Sequence, residues 1–283
     1  MGKLPSDFEF PAYIMNFPST VSNKYPNNVH MGQEEEYNLP LAFSQWKKLH
    51  ARLTREGLVY ILPSIKGLQD SPYVANAGAF LPHLGDIILL ANFKSAPRVG
   101  EERVARKFFE SHGYQTYQPP YFFEGEAELK YLHDNLYIGG YGLRSDLEAF
   151  NWMRDKFDMD ILALKMIDQR FFHLDCLLFP FDAEKALVVT AGMDQVSIKR
   201  LERYVEVIPV PEKYHDMAWT NCVRLGNTIL YGSYGDKKAD HEFAKILDKY
   251  NLELETFDLS EFWKSGADLS CMVFHLNYKG RGA

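Results

Sequence analysis

Six polar residues recur at nearly constant intervals along the 283-residue chain: Asn28, Asn76, Glu124, His173, Asn221 and Cys271 are separated by 48, 48, 49, 48 and 50 positions. Among them are a thiol, an imidazole and a carboxylate, the groups needed for nucleophilic attack on a planar, cationic, resonance-stabilised carbon. Cys271 is the candidate nucleophile. His173 would carry protons to a departing amine, and Glu124 would orient or charge it. Asp175, in the same short segment His173-Leu174-Asp175, would accept N–H bonds from a guanidinium, whose forked donors match a carboxylate. Taken singly, each has a plainer reading: Cys271 as a small buried apolar residue, His173 as a hydrogen-bonded core histidine, Glu124 and Asp175 as turn or surface carboxylates. Their shared phase favours the chemical reading.

The other two cysteines read as core thiols, since Cys176 follows Asp175 in an apolar run and Cys222 heads another. None of the three belongs to a close-spaced pair, which argues against a zinc or redox motif and for free thiols in a reducing compartment, the cytoplasm. Gly139-Gly140-Tyr141-Gly142 lacks the third glycine and the downstream lysine of a phosphate loop and reads as strand-end geometry. No metal and no cofactor are expected.

A net charge of −7 and a pI near 5.7, without basic runs, exclude nucleic acid and an anionic membrane surface as partners; the acidity reads first as ordinary solubility and would also suit a cationic small molecule. No apolar run reaches membrane-spanning length, and no signal-like segment opens the chain. Met1-Gly2-Lys3-Leu4-Pro5-Ser6 fits the loose N-myristoylation pattern, which is short enough to recur by chance. With 46% hydrophobic residues the chain has ample material for a core, and residues 1–283 read as one catalytic domain, with homo-oligomerisation left open.

Positioning these side chains requires a repeated α/β unit. Each interval holds two apolar strand-like runs around a turn, an amphipathic helix and a further strand. Val74–Leu81 and Ile87–Asn92 flank Leu84-Gly85-Asp86, then comes a helix over Gly100–His112 and a strand over Tyr114–Phe123. The next unit begins at strand Leu136–Tyr141, with a helix capped near Ser145 and a strand at Ile161–Leu164. Cys176–Phe181, Ala186–Thr190, a helix over Ser197–Tyr204 and Val205–Val210 form another. Cys222–Leu225, Thr228–Gly232, a helix over Lys238–Tyr250 and Leu252–Leu259 follow. The fifth combines both ends, Cys271–Tyr278 with N-terminal segments, a helix over Leu41–Gly57 and a strand over Leu58–Ser64. A repeat shared between first and last segments predicts a closed ring, with equivalent strand starts around one mouth.

Phe123-Glu124-Gly125, His173-Leu174-Asp175 and the Ser265-Gly266 to Ser270-Cys271 segment resemble the motifs of the amidinotransferase, or pentein, superfamily of guanidine-modifying enzymes. The resemblance spans almost the whole chain. It implies a five-bladed, pseudo-symmetric α/β propeller with a central active site, and the roles already given to Cys271, His173, Glu124 and Asp175. It further implies that Arg144 pairs with a substrate α-carboxylate and Asp70 holds the α-amino group, where the residues alone read equally as a helix-entry surface charge and a turn acid. Asn76 stands where deiminases and dimethylargininases of the superfamily carry aspartate, and where its arginine dihydrolases carry asparagine. The segment around Asn28, Asn27-Asn28-Val29-His30-Met31, similarly resembles the Asn-Pro-Trp-Met of those dihydrolases.

The implied activity is therefore that of an arginine dihydrolase, converting arginine to ornithine, ammonia and carbon dioxide. A deiminase or dimethylargininase is the alternative within the same chemistry, an amidinotransferase one outside it, and a non-catalytic binding protein a third. Gly266-Ala267-Asp268 and Ala127-Glu128 depart from the usual pattern, and Asp268 is a candidate contact for a different substrate tail.

If Cys271 is the nucleophile, Cys271→Ser abolishes turnover without unfolding the protein, and rapid quenching during turnover leaves a mass adduct on the peptide that contains Cys271. An adduct on Cys176 or Cys222 would assign the chemistry to the wrong thiol.

Overall fold

The computed structural model describes residues 3–32 and 36–280, so Met1 and Gly2 of the myristoylation pattern lie outside the described residues. Fifteen strands pair into five three-stranded sheets of one plan. In four of them a hairpin is followed by a helix and a strand parallel to the hairpin's second strand. β1 (Ala12–Asn16), α1 (Leu39–Leu53) and β2 (Leu58–Leu62) belong to the remaining sheet, the first unit along the chain. The second unit comprises β3 (Gly78–Leu81), β4 (Ile87–Leu90), α2 (Glu101–Ser111) and β5 (Gln115–Tyr117). The third comprises β6 (Leu129–His133), β7 (Leu136–Tyr141), α3 (Leu147–Phe157) and β8 (Asp160–Lys165).

The fourth comprises β9 (Leu178–Pro180), β10 (Lys185–Val188), α4 (Gln195–Leu201) and β11 (Glu206–Pro209). After it come β12 (Val223–Leu225), β13 (Thr228–Gly232), α5 (Lys237–Asp248) and β14 (Glu253–Phe257). A short α6 (Ser260–Trp263) and β15 (Phe274–His275) end the order. β15 pairs antiparallel with β1, which pairs parallel with β2, so the first unit takes strands from both ends of the chain. This is the shared repeat expected from the spacing.

Central strands such as Ile87-Ile88-Leu89-Leu90 are apolar almost without interruption because both faces are covered, as parallel strands require. The helices bury one stripe each: Ala239, Phe243 and Leu247 of α5 fall at four-residue intervals, and Asp236 caps its start by accepting from the Lys238 and Ala239 amides. Isolated bridges from Asn92 to Phe123 and from Met166 to Met193 tie neighbouring units together.

Some expected boundaries move. Val74–Leu81 is a strand only from Gly78, since Val74–Ala77 winds into a 3-10 turn. Tyr114–Phe123 contributes only the three residues of β5. β6 has no counterpart among the expected strands, and α3 begins after Asp146 rather than at Ser145, whose hydroxyl instead accepts from the Glu124 amide. Equivalent 3-10 turns precede the first strands of several units, at Gly125–Ala127, Leu174–Cys176 and Ser270–Met272. Asn76, Glu124, His173, Asp175 and Cys271 all lie on or beside these turns, which explains the constant interval. No helix among the described residues is long and apolar enough to cross a membrane.

Gly125 lets two of these turns touch. Its φ is +69°, and an added Cβ would lie 2.6 Å from the Ala75 carbonyl oxygen and 2.7 Å from Asn76 backbone atoms. Gly125→Ala therefore combines left-handed strain with a backbone clash, and urea unfolding should show a loss of about 2 kcal/mol or more. A loss within about 0.5 kcal/mol would mean that the two turns are not held in contact.

Candidate active site

The 3-10 turns carry their polar side chains to a common cavity. Asn28, Asp70, Asn76, Arg144, His173 and Cys271 line it, while Glu124 and Asp175 lie immediately behind with no exposure. All eight candidate residues are thus brought together. The cavity measures about 20 Å³, room for little more than one water molecule.

His173 and Glu124 form the central pair, with the imidazole Nε2–H donating to Glu124 Oε2 over 2.7 Å. Arg144 Nη1 donates to the same oxygen at 3.2 Å, and the Ser95 amide to Oε1 at 3.3 Å. Burial alone would raise the Glu124 carboxyl, but the His173 hydrogen bond and charge, with the charges of Arg144 and Arg98, hold it down at about 2. Burial lowers the pKa of His173 despite the carboxylate beside it. Asn76 Nδ2 donates to the Glu124 carbonyl at 3.3 Å and stands 3.3 and 3.5 Å from the two ring nitrogens of His173.

Cys271 Sγ lies 3.7 Å from Asp175 Oδ2, which also accepts from the Ser270 hydroxyl at 2.9 Å. Burial, reinforced by the charge of Asp175, pushes the thiol well above its usual range. At rest Cys271 is therefore a neutral thiol facing an acid, and a cation bound beside it would favour the thiolate. Among the described residues no group of three or more His, Cys, Asp or Glu could hold a metal ion.

No protein-family model matches the chain. Over 254 residues it is 28% identical to the bifunctional arginine dihydrolase/ornithine cyclodeaminase AgrE of Nostoc sp., a match covering 88% of this chain and 34% of that protein. Over 267 residues it is 27% identical to the N(G),N(G)-dimethylarginine dimethylaminohydrolase of Mycobacterium tuberculosis, covering 94% of this chain and 85% of that one. The solved N-terminal domain of ArgZ, an arginine dihydrolase from cyanobacteria, bound to product, superimposes with a TM-score of 0.87 at 26% identity, over 94% of this chain and 97% of that one. The chain's relatives by sequence and by structure are members of the amidinotransferase, or pentein, superfamily. The chain spans about a third of the length of the bifunctional relatives.

Several polar groups in this site escaped sequence reasoning. Asn221, in phase with the others but given no role, accepts from the Ser270 amide at 2.9 Å and approaches Cys271 Sγ with Nδ2 at 3.4 Å. Its place in the repeat was the available signal. Arg98 is buried, paired with Glu101 at 2.8 Å, and donates to the Tyr73 carbonyl at 3.0 Å beneath Asp70. Asn27 meets both Asp70 and Arg144. Neither Arg98 nor Asn27 belongs to the recurring set, so nothing in the spacing marks them.

Two expectations change. Asp268 does not line the cavity; it is buried against Gly232, where an added Cβ would meet Oδ1 at 1.7 Å, and accepts from the Leu269 amide at 2.8 Å. That leaves no place for a substrate tail on it. Cys176 is not a strand residue in the core. It lies half-buried on a 3-10 turn and lines a neighbouring cavity of about 690 Å³, which shares Phe172 and Gly266 with the first. Cys222 is a core thiol, as expected, donating to the Trp219 carbonyl.

The depressed Glu124 carboxyl has a signed consequence. Its folded value of about 2 lies below the ordinary 4.5, so its stabilising contribution is complete above about pH 4.5 and disappears as pH falls toward 2. Glu124→Gln should make the acid limb of the stability curve shallower over that window, measured by denaturant unfolding at a series of pH values. An unchanged limb would show that the carboxylate is not held by its cationic neighbours.

Proposed function

We propose that this chain is a cysteine-dependent hydrolase acting on the guanidinium carbon of free arginine, of the arginine dihydrolase type. The observation that carries this reading is Asn76: a neutral amide beside the His173–Glu124 pair, in the cavity that Cys271 lines. In the first step the Cys271 sulfur attacks the guanidinium carbon while Asp175 accepts its N–H bonds. His173 takes the thiol proton and passes it to the departing nitrogen, whose bond to carbon breaks, releasing ammonia and leaving a thiouronium-type adduct. Water activated by His173 then breaks the carbon–sulfur bond and yields the ureido product and the free thiol. Asp70 and Arg144 hold the α-ammonium and α-carboxylate. Asn28 closes the wall through its bond to the Ser265 carbonyl.

The second hydrolysis needs a site that keeps a neutral ureido group after it has bound a cation. An amide can bond both, whereas a second carboxylate would favour the cation. Arginine and two waters then give ornithine, two ammonia and carbon dioxide. The AgrE and ArgZ relatives support this reading by name, and a solved ArgZ variant is covalently bound to a reaction intermediate. A single-step deiminase or dimethylargininase is the second reading, supported by the M. tuberculosis relative that matches over most of both chains.

In the same reading, the five sheets are blades of one closed propeller around a central mouth and residues 1–283 are one catalytic domain. The first sheet's use of both chain ends supports closure. The free cysteines fit a cytoplasmic enzyme whose partner is a small guanidino compound.

Incubation with arginine alone should yield ornithine and two equivalents of ammonia. Citrulline as the end product would replace this reading with the deiminase, and dependence on an added amine would replace it with group transfer. Asn76→Asp should shift the product toward citrulline, since a change of about 1.4 kcal/mol between cationic and neutral bound states alters their ratio tenfold. An unchanged product ratio would remove Asn76 from control of the second step.

A further inference from the structure

The sulfur of Cys271 has an acid and an amide for neighbours. Asp175 Oδ2 is 3.7 Å from Sγ, and Asn221 Nδ2 is 3.4 Å from it. The same two residues grip Ser270, which precedes the cysteine: its hydroxyl donates to Asp175 Oδ2 and its amide to Asn221 Oδ1, each over 2.9 Å. The second of these contacts settles which way the Asn221 amide points. A flipped side chain would set its NH2 group against the Ser270 N–H, two donors facing each other, so Oδ1 is held there and Nδ2 is left for the sulfur. Asn221 is itself firmly placed. It is buried, its own amide donates to the Ala218 carbonyl at 2.9 Å, and the nearby Trp219 stacks on Phe243. Asn221 does not line the cavity, so its partner is the reacting sulfur and not a bound molecule.

The amide serves the two protonation states of Cys271 differently. A thiol has a proton to donate, and Asn221 Oδ1 and Asp175 Oδ2, each 3.7 Å away, can accept from it. A thiolate has only lone pairs, and the Nδ2–H group then becomes a charge-assisted donor, about twice as strong as a neutral one. Burial and the charge of Asp175 raise the thiol, while hydrogen bonds from the Asp268 backbone and from Asn221 pull it back.

We infer that Asn221 is the hydrogen-bond donor to the Cys271 thiolate, a catalytic residue that acts on the nucleophile and not on the guanidinium. This rests on Cys271 being the nucleophile, as the proposed function has it, and deepens that reading. The donor acts twice in each hydrolysis. It stabilises the thiolate that attacks carbon, and stabilises it again when the carbon–sulfur bond breaks and the bonding pair returns to sulfur, since a less basic thiolate leaves faster. Asp175 cannot take this part, because an ionised carboxylate only accepts and has no proton to offer an anion.

The test is alkylation of Cys271 by iodoacetamide, which reports the thiolate fraction and needs no substrate. Modification of the Cys271 and Cys222 peptides is quantified by mass spectrometry from about pH 7 to 9 in the parent, in Asn221→Asp and in Asn221→Ala, with the core thiol Cys222 as the reference for opening of the fold. Asn221→Asp keeps an oxygen for the Ser270 amide and puts an acceptor at the sulfur, so the ratio of Cys271 to Cys222 rates should fall about tenfold or more. A parental ratio in that variant overturns the proposal, and a loss in Asn221→Ala alone would then leave Asn221 as a holder of the turn. Because no arginine is present, the result stands whether or not the protein turns it over. With turnover, Asn221→Asp should lower kcat about tenfold or more and leave KM within about twofold of the parent. A raised KM at unchanged kcat would make Asn221 a substrate contact and overturn the proposal as well.

Discussion

Glu124 carries a negative charge with no exposure to water, and much of the site's arrangement answers to that cost. Withdrawing a carboxylate from solvent costs several kcal/mol unless donors and opposite charge replace the lost hydration. Here the replacement comes from separate parts of the chain: His173 from the turn before β9, Arg144 from the segment after β7, and the Ser95 amide from the segment after β4. Satisfying one charge thus fastens several units together. It also fixes the face that His173 turns to the cavity, so the same constraint that holds the units together aims the imidazole.

The opposite end of the cavity is governed by a second acid. Asp175 accepts from Ser270 and faces the thiols of Cys271 and Cys176, one at each oxygen. Burial, reinforced by the charge of this acid, keeps Cys271 protonated. A thiol with this environment is protected from adventitious electrophiles and oxidants, because reactivity follows the thiolate. Thiolate formation at Cys271 would thereby depend on the charge of what enters.

Much of this was legible in the chain because each recurring residue occupies the same place in its unit. The interval between Asn76, Glu124 and His173 reflects 3-10 turns that precede first strands, and strands such as Leu136–Tyr141 and Thr228–Gly232 have the boundaries that their apolar runs suggest. The turn at Val74–Ala77 was not legible, since a short apolar run has no period that separates a strand from a tight turn. β6 was hidden by the run of acids at Glu124, Glu126 and Glu128 that leads into it. Those acids find buried partners that only the tertiary fold supplies, as when Glu126 meets the His275 ring and Glu128 accepts from the Leu174 amide. Asn27 and Arg98 were silent for the same reason: contacts far along the chain, and not local pattern, define what they do.

The sheet that unites β1 with β15 has a meaning for how the molecule is made. Ala12 is hydrogen-bonded to Asn277 across 265 positions of sequence, while on its other side β1 pairs with the much nearer β2. In a chain that emerges from its N-terminus, the His173–Glu124 pair can form when little more than half of the residues exist. Cys271, just before β15, arrives last and is fixed only when its strand docks beside β1. The sulfur of Cys271 is therefore added to a pocket in which residues from much earlier in the chain, Glu124 and His173, can already be paired.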